Sequence, residues 1–189
     1  MHSRSAPSSL RSHCPHLQGT REKLMKFALA LIAIGTVLAS TGALAAGYRE
    51  KDSGDLSDDR GAPTAVELGL GANVIAGHFG AKAKPNGNVT DRDYFTVRIP
   101  SGQQLSAVTL GSATVVGSSA AFIGVQTGKK VTVVPDGGSY AGLLGWTDFS
   151  AGDAGTDLLP KIGTGSGAQG FVPPLGAGTY SFWVQEASI

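Results

Sequence analysis

Asp91 and Asp93 stand two residues apart, a spacing that puts both carboxylates on one face of an extended chain. Hard carboxylate oxygens placed side by side are what Ca2+ takes, although such a site needs about 6 to 8 oxygens and the sequence names no further members. The competing reading is a turn aspartate beside a strand-start hydrogen bond. Asp148, Asp153 and Asp157 form a second acidic set, scattered through a glycine-rich stretch where turn chemistry is the simpler account. Neither set has EF-hand spacing. Ca2+ on Asp91 and Asp93 is therefore the one metal the sequence suggests, and no organic cofactor is expected.

The rest of the residue inventory argues against catalysis. His78 is the sole histidine after Ala45, and the only cysteine, Cys14, lies near the N-terminus, so no His/Cys zinc site and no disulfide is expected downstream. A Ser-His-Asp triad would have to use His78, and no Gly-x-Ser-x-Gly elbow surrounds a serine in that region. Gly165 to Gly170 spells G-x-G-x-x-G, but Phe171-Val172-Pro173-Pro174 follows where a dinucleotide fingerprint needs a helix. Gly124 to Lys130 lacks P-loop glycine spacing and has Lys130 where Ser or Thr would hold magnesium. Asn88-Val89-Thr90 is a glycosylation sequon of a kind frequent by chance. Tyr94, Tyr140, Trp146, Tyr180 and Trp183 are the rings available for a sugar-binding platform, with core packing as the alternative.

Residues 25–45 read as a signal peptide. Lys26 supplies a charged start, Phe27 to Leu38 an apolar core, and Ala43-Leu44-Ala45 a small-residue cleavage pattern. Cleavage after Ala45 and a secreted, periplasmic or cell-envelope location are expected. The rival reading, a membrane anchor, needs about 20 apolar residues, and the apolar part here is shorter with no basic stop-transfer cluster behind it. No membrane anchor is expected after cleavage. Residues 1–24, a Ser/Arg/His-rich leader ahead of Met25, read as a misassigned start, with a long n-region as the alternative.

After Ala45 there are 13 Asp/Glu against 10 Lys/Arg, so no basic surface argues for nucleic acid. An extracellular protein or glycan is the expected partner class. Glycine is abundant, 28 in all, but it is interleaved with short apolar runs, as in a β protein with many turns and unlike a disordered chain. Residues 46–63 differ in being charged and poor in apolar side chains, and read as a flexible linker.

From Thr64 to Ile189 the apolar pattern has period two, which predicts strands. Asp93 to Pro100 alternates most cleanly, with Phe95, Val97 and Ile99 on one face and Tyr94, Thr96 and Arg98 on the other. Gly178 to Glu186 alternates likewise, setting Tyr180, Phe182 and Val184 against an out-of-phase Trp183. Strands are also expected at Val66 to Leu70, Asn73 to Phe79, Leu105 to Leu110 and Ala121 to Gln126, the last pairing with Val131 to Val134. A reversal is expected at Pro85-Asn86-Gly87, and loops with one short strand or helical turn over Pro135 to Pro174. Such spacing predicts a single all-β domain over residues 64–189, an antiparallel β-sandwich.

Asn88 to Leu110 (NVTDRDYFTVRIPSGQQLSAVTL) resembles the core of the bacterial pre-peptidase C-terminal domain family, through Asp91, Asp93, Tyr94, Phe95, Pro100, Gly102 and Leu105. The approach Gly176-x-Gly-Thr-Tyr180 is similar too. The resemblance spans most of Val66 to Glu186 and implies a jelly-roll-like sandwich with a non-catalytic binding or accessory role. Calcium-binding relatives carry an acidic pair followed by paired asparagines near the domain start, where this chain has only Glu67 and Asn73. The resemblance also implies a further strand after Glu186, where Ala187 to Ile189 remain. An open C-terminal edge strand through which the chain self-associates is therefore expected.

Overall fold

The computed structural model describes residues 25–34, 46–84, 87–117 and 119–186. Two five-stranded sheets dominate it. The first runs β2 (Gly47–Arg49), β4 (Gly71–Lys84), β1 (Met25–Ile34), β7 (Gln104–Leu110), with β5 (Gly87–Asp91) on the far end of β4. The second runs β3 (Thr64–Val66), β6 (Asp93–Ile99), β10 (Gly178–Glu186), β8 (Ala121–Thr127), β9 (Gly145–Phe149). Among the described residues, helix is confined to α1 (Glu50–Ser53), α2 (Leu159–Gly163) and a 3-10 turn at Ala151–Asp153. Among the described residues no helix is long and apolar enough to cross a membrane.

Period two does in β6 and β10 what the sequence requires of it. Phe95, Val97 and Ile99 of β6 and Tyr180, Phe182 and Val184 of β10 turn to a common core. Phe95 and Phe182 are cross-strand partners whose rings stack at 5.2 Å, the pairing that stabilises adjacent strands. Ile75, Phe79, Leu105, Val108 and Leu110 of the first sheet enter the same core, and Phe79 meets Phe149 of the second edge-on at 6.4 Å. Out of phase, Tyr94 and Trp183 pair across β6 and β10 on the opposite face, where the chain from Val131 to Leu143 covers them. Trp183 is 2% exposed.

Several expectations change. The sheets are not wholly antiparallel, since β2 pairs parallel with β4 and β3 with β6. Both are three-residue strands reaching sheet flanks through loops, and so are free of the direction a hairpin imposes. Val131 to Val134 forms no strand beside β8, which takes β9 and β10 as its neighbours; Val131 and Val133 instead press onto the outer aromatic cluster. The C-terminal strand β10 is paired on both sides, so it is not an edge. The reversal falls between Lys84 and Gly87, and its Pro85 and Asn86 lie outside the described residues.

The segment 46–63 is packed, not a free linker. Leu56 is 1% exposed in the main core, Tyr94 N–H donates to Ser57 O at 2.9 Å, and Tyr48 packs on the core from β2. Few apolar residues suffice because polar side chains tie the segment down. Tyr48 donates its hydroxyl to Gly54 O at 2.9 Å, and Ser57 N–H donates to Thr64 Oγ1 at 3.0 Å. Folded structure therefore starts ahead of Thr64. It also includes Met25–Ile34, which the sequence assigned to a signal peptide and which here forms the central strand β1 between β4 and β7.

Candidate metal centre

Asp91 closes β5 and Asp93 opens β6, so the single residue between them acts as the corner that turns two carboxylates inward. Asp93 is fully buried and Asp91 7% exposed. Neither oxygen of Asp93 has a hydrogen-bond donor among the described residues. A buried carboxylate without partners is costly, because desolvation penalises its charge and nothing returns the lost hydration.

Three acidic residues from segment 46–63 approach this corner. One oxygen each from Glu50, Asp55 and Asp93 lie within 4.8 Å of one another, and so do oxygens of Asp55, Asp58 and Asp91. Asp55 belongs to both triads, so five carboxylates form one cluster. Glu50 begins α1, and Gly54, at φ 92, ends that single turn with its N–H on Glu50 O at 2.9 Å. A left-handed backbone suits glycine there, and it delivers Asp55 and Asp58 back toward the β5–β6 corner. Asp58 Oδ1 accepts from Arg92 N–H at 3.2 Å, which fixes the loop against the corner itself.

Glu50 is held through both of its oxygens. Its Oε1 accepts from Leu56 N–H at 2.9 Å and its Oε2 from His78 N–H at 2.7 Å, with His78 Nδ1 3.4 Å away. It lies directly on Gly77, where a Cβ would come within 2.6 Å of the carboxylate carbon. Replacing Gly77 by alanine is expected to push Glu50 out of the cluster and to destabilise the protein by about 1–3 kcal/mol, the scale of overpacking. Thermal melting and a Ca2+ titration of Gly77→Ala check this: an unchanged melting point and affinity would mean that Glu50 has room to move at no cost.

The electrostatics at Asp93 are one-sided. Burial first, then the charges of Glu50, Asp91, Asp55 and Asp58, push the Asp93 carboxyl up to about 10. Burial likewise raises Glu50, against the pull of the two amides that donate to it. A group so placed holds either a proton or a cation. Every donor in the two triads is a carboxylate oxygen, the set that suits a hard divalent ion such as Ca2+ and offers nothing to a soft one.

The other candidates scatter. Asp153 binds Lys161 Nζ at 2.7 Å and caps its own 3-10 turn through Ser150, which holds it below the usual carboxylate range. Asp157 accepts from Val108 and Leu159 N–H, and Asp148 lies exposed on β9, so these three do not converge. Asn73 bonds Gly69 and Gly71 around the turn into β4, a structural duty. Tyr180 faces the main core, while Tyr94, Tyr140, Trp146 and Trp183 gather on the outer face of the second sheet. No family model, curated protein or solved structure matches this chain. The resemblance to pre-peptidase C-terminal domains therefore rests on the residues quoted above.

Proposed function

We propose that this chain is an exported, non-catalytic β module of jelly-roll-like sandwich type, locked by Ca2+ at the β5–β6 corner and serving a binding or structural role outside the cytoplasm. The observation that carries the reading is Asp93, with both oxygens buried and without a hydrogen-bond donor among the described residues, and with oxygens of Glu50 and Asp55 in one 4.8 Å group with its own. A divalent cation there would convert mutual repulsion into coordination and join segment 46–63 to the two sheets. Export is supported by the signal-like sequence, and a binding role over catalysis by the lack of a nucleophile–base pattern in the sequence.

Calorimetric titration of chelator-treated protein with Ca2+ tests it. Saturable binding is expected in the parent chain and not in Asp93→Asn, whose neutral side chain no longer brings a buried charge to the ion. Melting temperature should rise with Ca2+ in the parent alone, since a ligand held only by the native state adds about 2.7 kcal/mol at a hundredfold excess over Kd. Absence of Ca2+ heat in the parent chain, with no shift in melting, would remove the cation from the account.

A further inference from the structure

We propose that the outer face of the second sheet carries a binding site for a neutral pyranose ring, in the cleft between the Tyr140–Trp146 pair and the polar groups of Asp136, Asp148 and Gln185. This assignment rests on the binding role proposed above and gives it a ligand class. The cleft encloses about 150 Å³. That is room for about one small ring, well below the ~300–1,000 Å³ of a drug-sized pocket.

Its wall is an aromatic stack. Phe122 lies 4.6 Å from Trp183 and 5.7 Å from Trp146, and Trp146 lies 4.4 Å from Tyr140. Phe122 and Trp183 are buried, but Tyr140 and Trp146 stay half-exposed at the cleft. Trp146 is fixed by its indole N–H donating to Ser166 O at 2.8 Å. Rings held in place in this way offer an apolar surface to the C–H face of a sugar at little entropic cost.

The opposite side supplies hydrogen bonds. Gln185 Oε1 already accepts from Arg92 Nε at 2.8 Å and Trp183 Nε1 at 3.1 Å, which orients its NH2 group as the remaining donor. Arg92 Nη2 also donates to Asp136 Oδ2 at 2.9 Å, and Asp136 sits at φ 60, a left-handed conformation that Asp adopts more readily than most side chains. Asp136 and Asp148 add carboxylate acceptors for sugar hydroxyls. With the Asp136 charge offset by Arg92, Asp148 leaves the cleft net negative, which selects against an anionic sugar and favours a neutral one. The corner residue Arg92 thus links this cleft to Asp91 and Asp93 on either side of it.

The chain has two tryptophans, Trp146 and Trp183, and both line this cleft, so intrinsic fluorescence reports on it directly. The full chain is titrated with methyl glucoside, methyl galactoside and methyl mannoside, with glucuronate as the anionic control. A saturable change with at least one neutral glycoside is expected, weakened about tenfold or more in Tyr140→Ala and in the exposed Asp148→Asn, with no response to glucuronate. Circular dichroism confirms that each variant is folded. No saturable change with any neutral glycoside, an equal response to glucuronate, or affinity untouched by Asp148→Asn would overturn the assignment. A response that persists in chelator and in Asp93→Asn supports the cleft even where Ca2+ titration fails, so the two readings fail separately.

Discussion

Stripped of divalent cations, the protein is expected to lose stability as pH rises from 4 toward 10, the reverse of the usual behaviour of a salt-bridged aspartate. The Asp93 carboxyl is raised from 3.8 to about 10 in the folded state, by burial first and by Glu50, Asp91, Asp55 and Asp58 after it. Between those values the folded chain holds a proton that the unfolded chain has released. Native protein then binds more protons than denatured protein, and the free energy of unfolding falls with pH by up to about 1.4 kcal/mol per unit. The full contribution is present below 3.8 and is spent as pH approaches 10. Glu50, also raised, acts in the same direction. Asp153 acts oppositely, because Lys161 lowers it, but it is settled as an ion well below neutrality.

Saturating Ca2+ should erase this slope, since a cation stabilises the ionised cluster and competes with the proton. Urea midpoints at pH 5 and pH 8, in chelator and in Ca2+, give four numbers that decide the matter. The chelated protein should be clearly weaker at pH 8, the Ca2+ form should not, and Asp93→Asn in chelator should keep only the smaller slope that Glu50 contributes. Equal midpoints at both pH values in chelator would mean that the Asp93 carboxylate is solvated or paired in solution. A loss of this kind matters, because domain stability is only about 5–15 kcal/mol in total.

Two of the five clustered carboxylates and a good part of the fold are legible in the sequence. Strands β6 and β10 were legible because their alternation is unbroken, and the off-phase Trp183 was rightly placed on the face away from Phe182. The pair Asp91 and Asp93 was legible for the same local reason, as two residues of one extended stretch. Glu50, Asp55 and Asp58 were not. They lie some four decades of residues upstream in a charged segment, and what brings them over is tertiary: β2 lying parallel along β4, a glycine turn at Gly54, and a bare Gly77 under the Glu50 carboxylate. The one local signal was Leu56, a lone apolar residue inside the acidic run Asp55 to Asp59, which proves to be the anchor buried in the core. Val131 to Val134 misled for a related reason. Its alternation is real, but it serves to cover an aromatic cluster and leaves the ladder positions beside β8 to β9 and β10.

Under the export proposed above, Met25–Ile34 have two roles that one molecule cannot serve together. As a signal they are removed after Ala45; as β1 they pair Met25–Ala33 with Phe79–Gly71 of β4 and Leu29–Ile34 with Leu110–Gln104 of β7. Both pairings are antiparallel, so β4 and β7 run parallel to each other, about 10 Å apart across the missing strand once it is gone. Leu29 and Leu31 are fully buried in the main core, and losing each costs about 2–5 kcal/mol before any ladder hydrogen bond is counted. That sum is comparable with the whole stability of a domain. The exported protein is expected to begin at Ala46 or Gly47 by mass spectrometry and to melt well below the uncleaved chain, with Leu31→Asp in the uncleaved chain producing a similar loss. Two open ladder edges bordered by Ile75, Phe79, Val108 and Leu110 are a template for another strand, so the cleaved protein should self-associate with rising concentration in light scattering. A synthetic peptide of residues 25–34 added in trans should restore the melting temperature and dissolve the oligomers, and a scrambled peptide should do neither. A cleaved monomer as heat-stable as its precursor would show that β4 and β7 close on each other, and that this segment serves export alone.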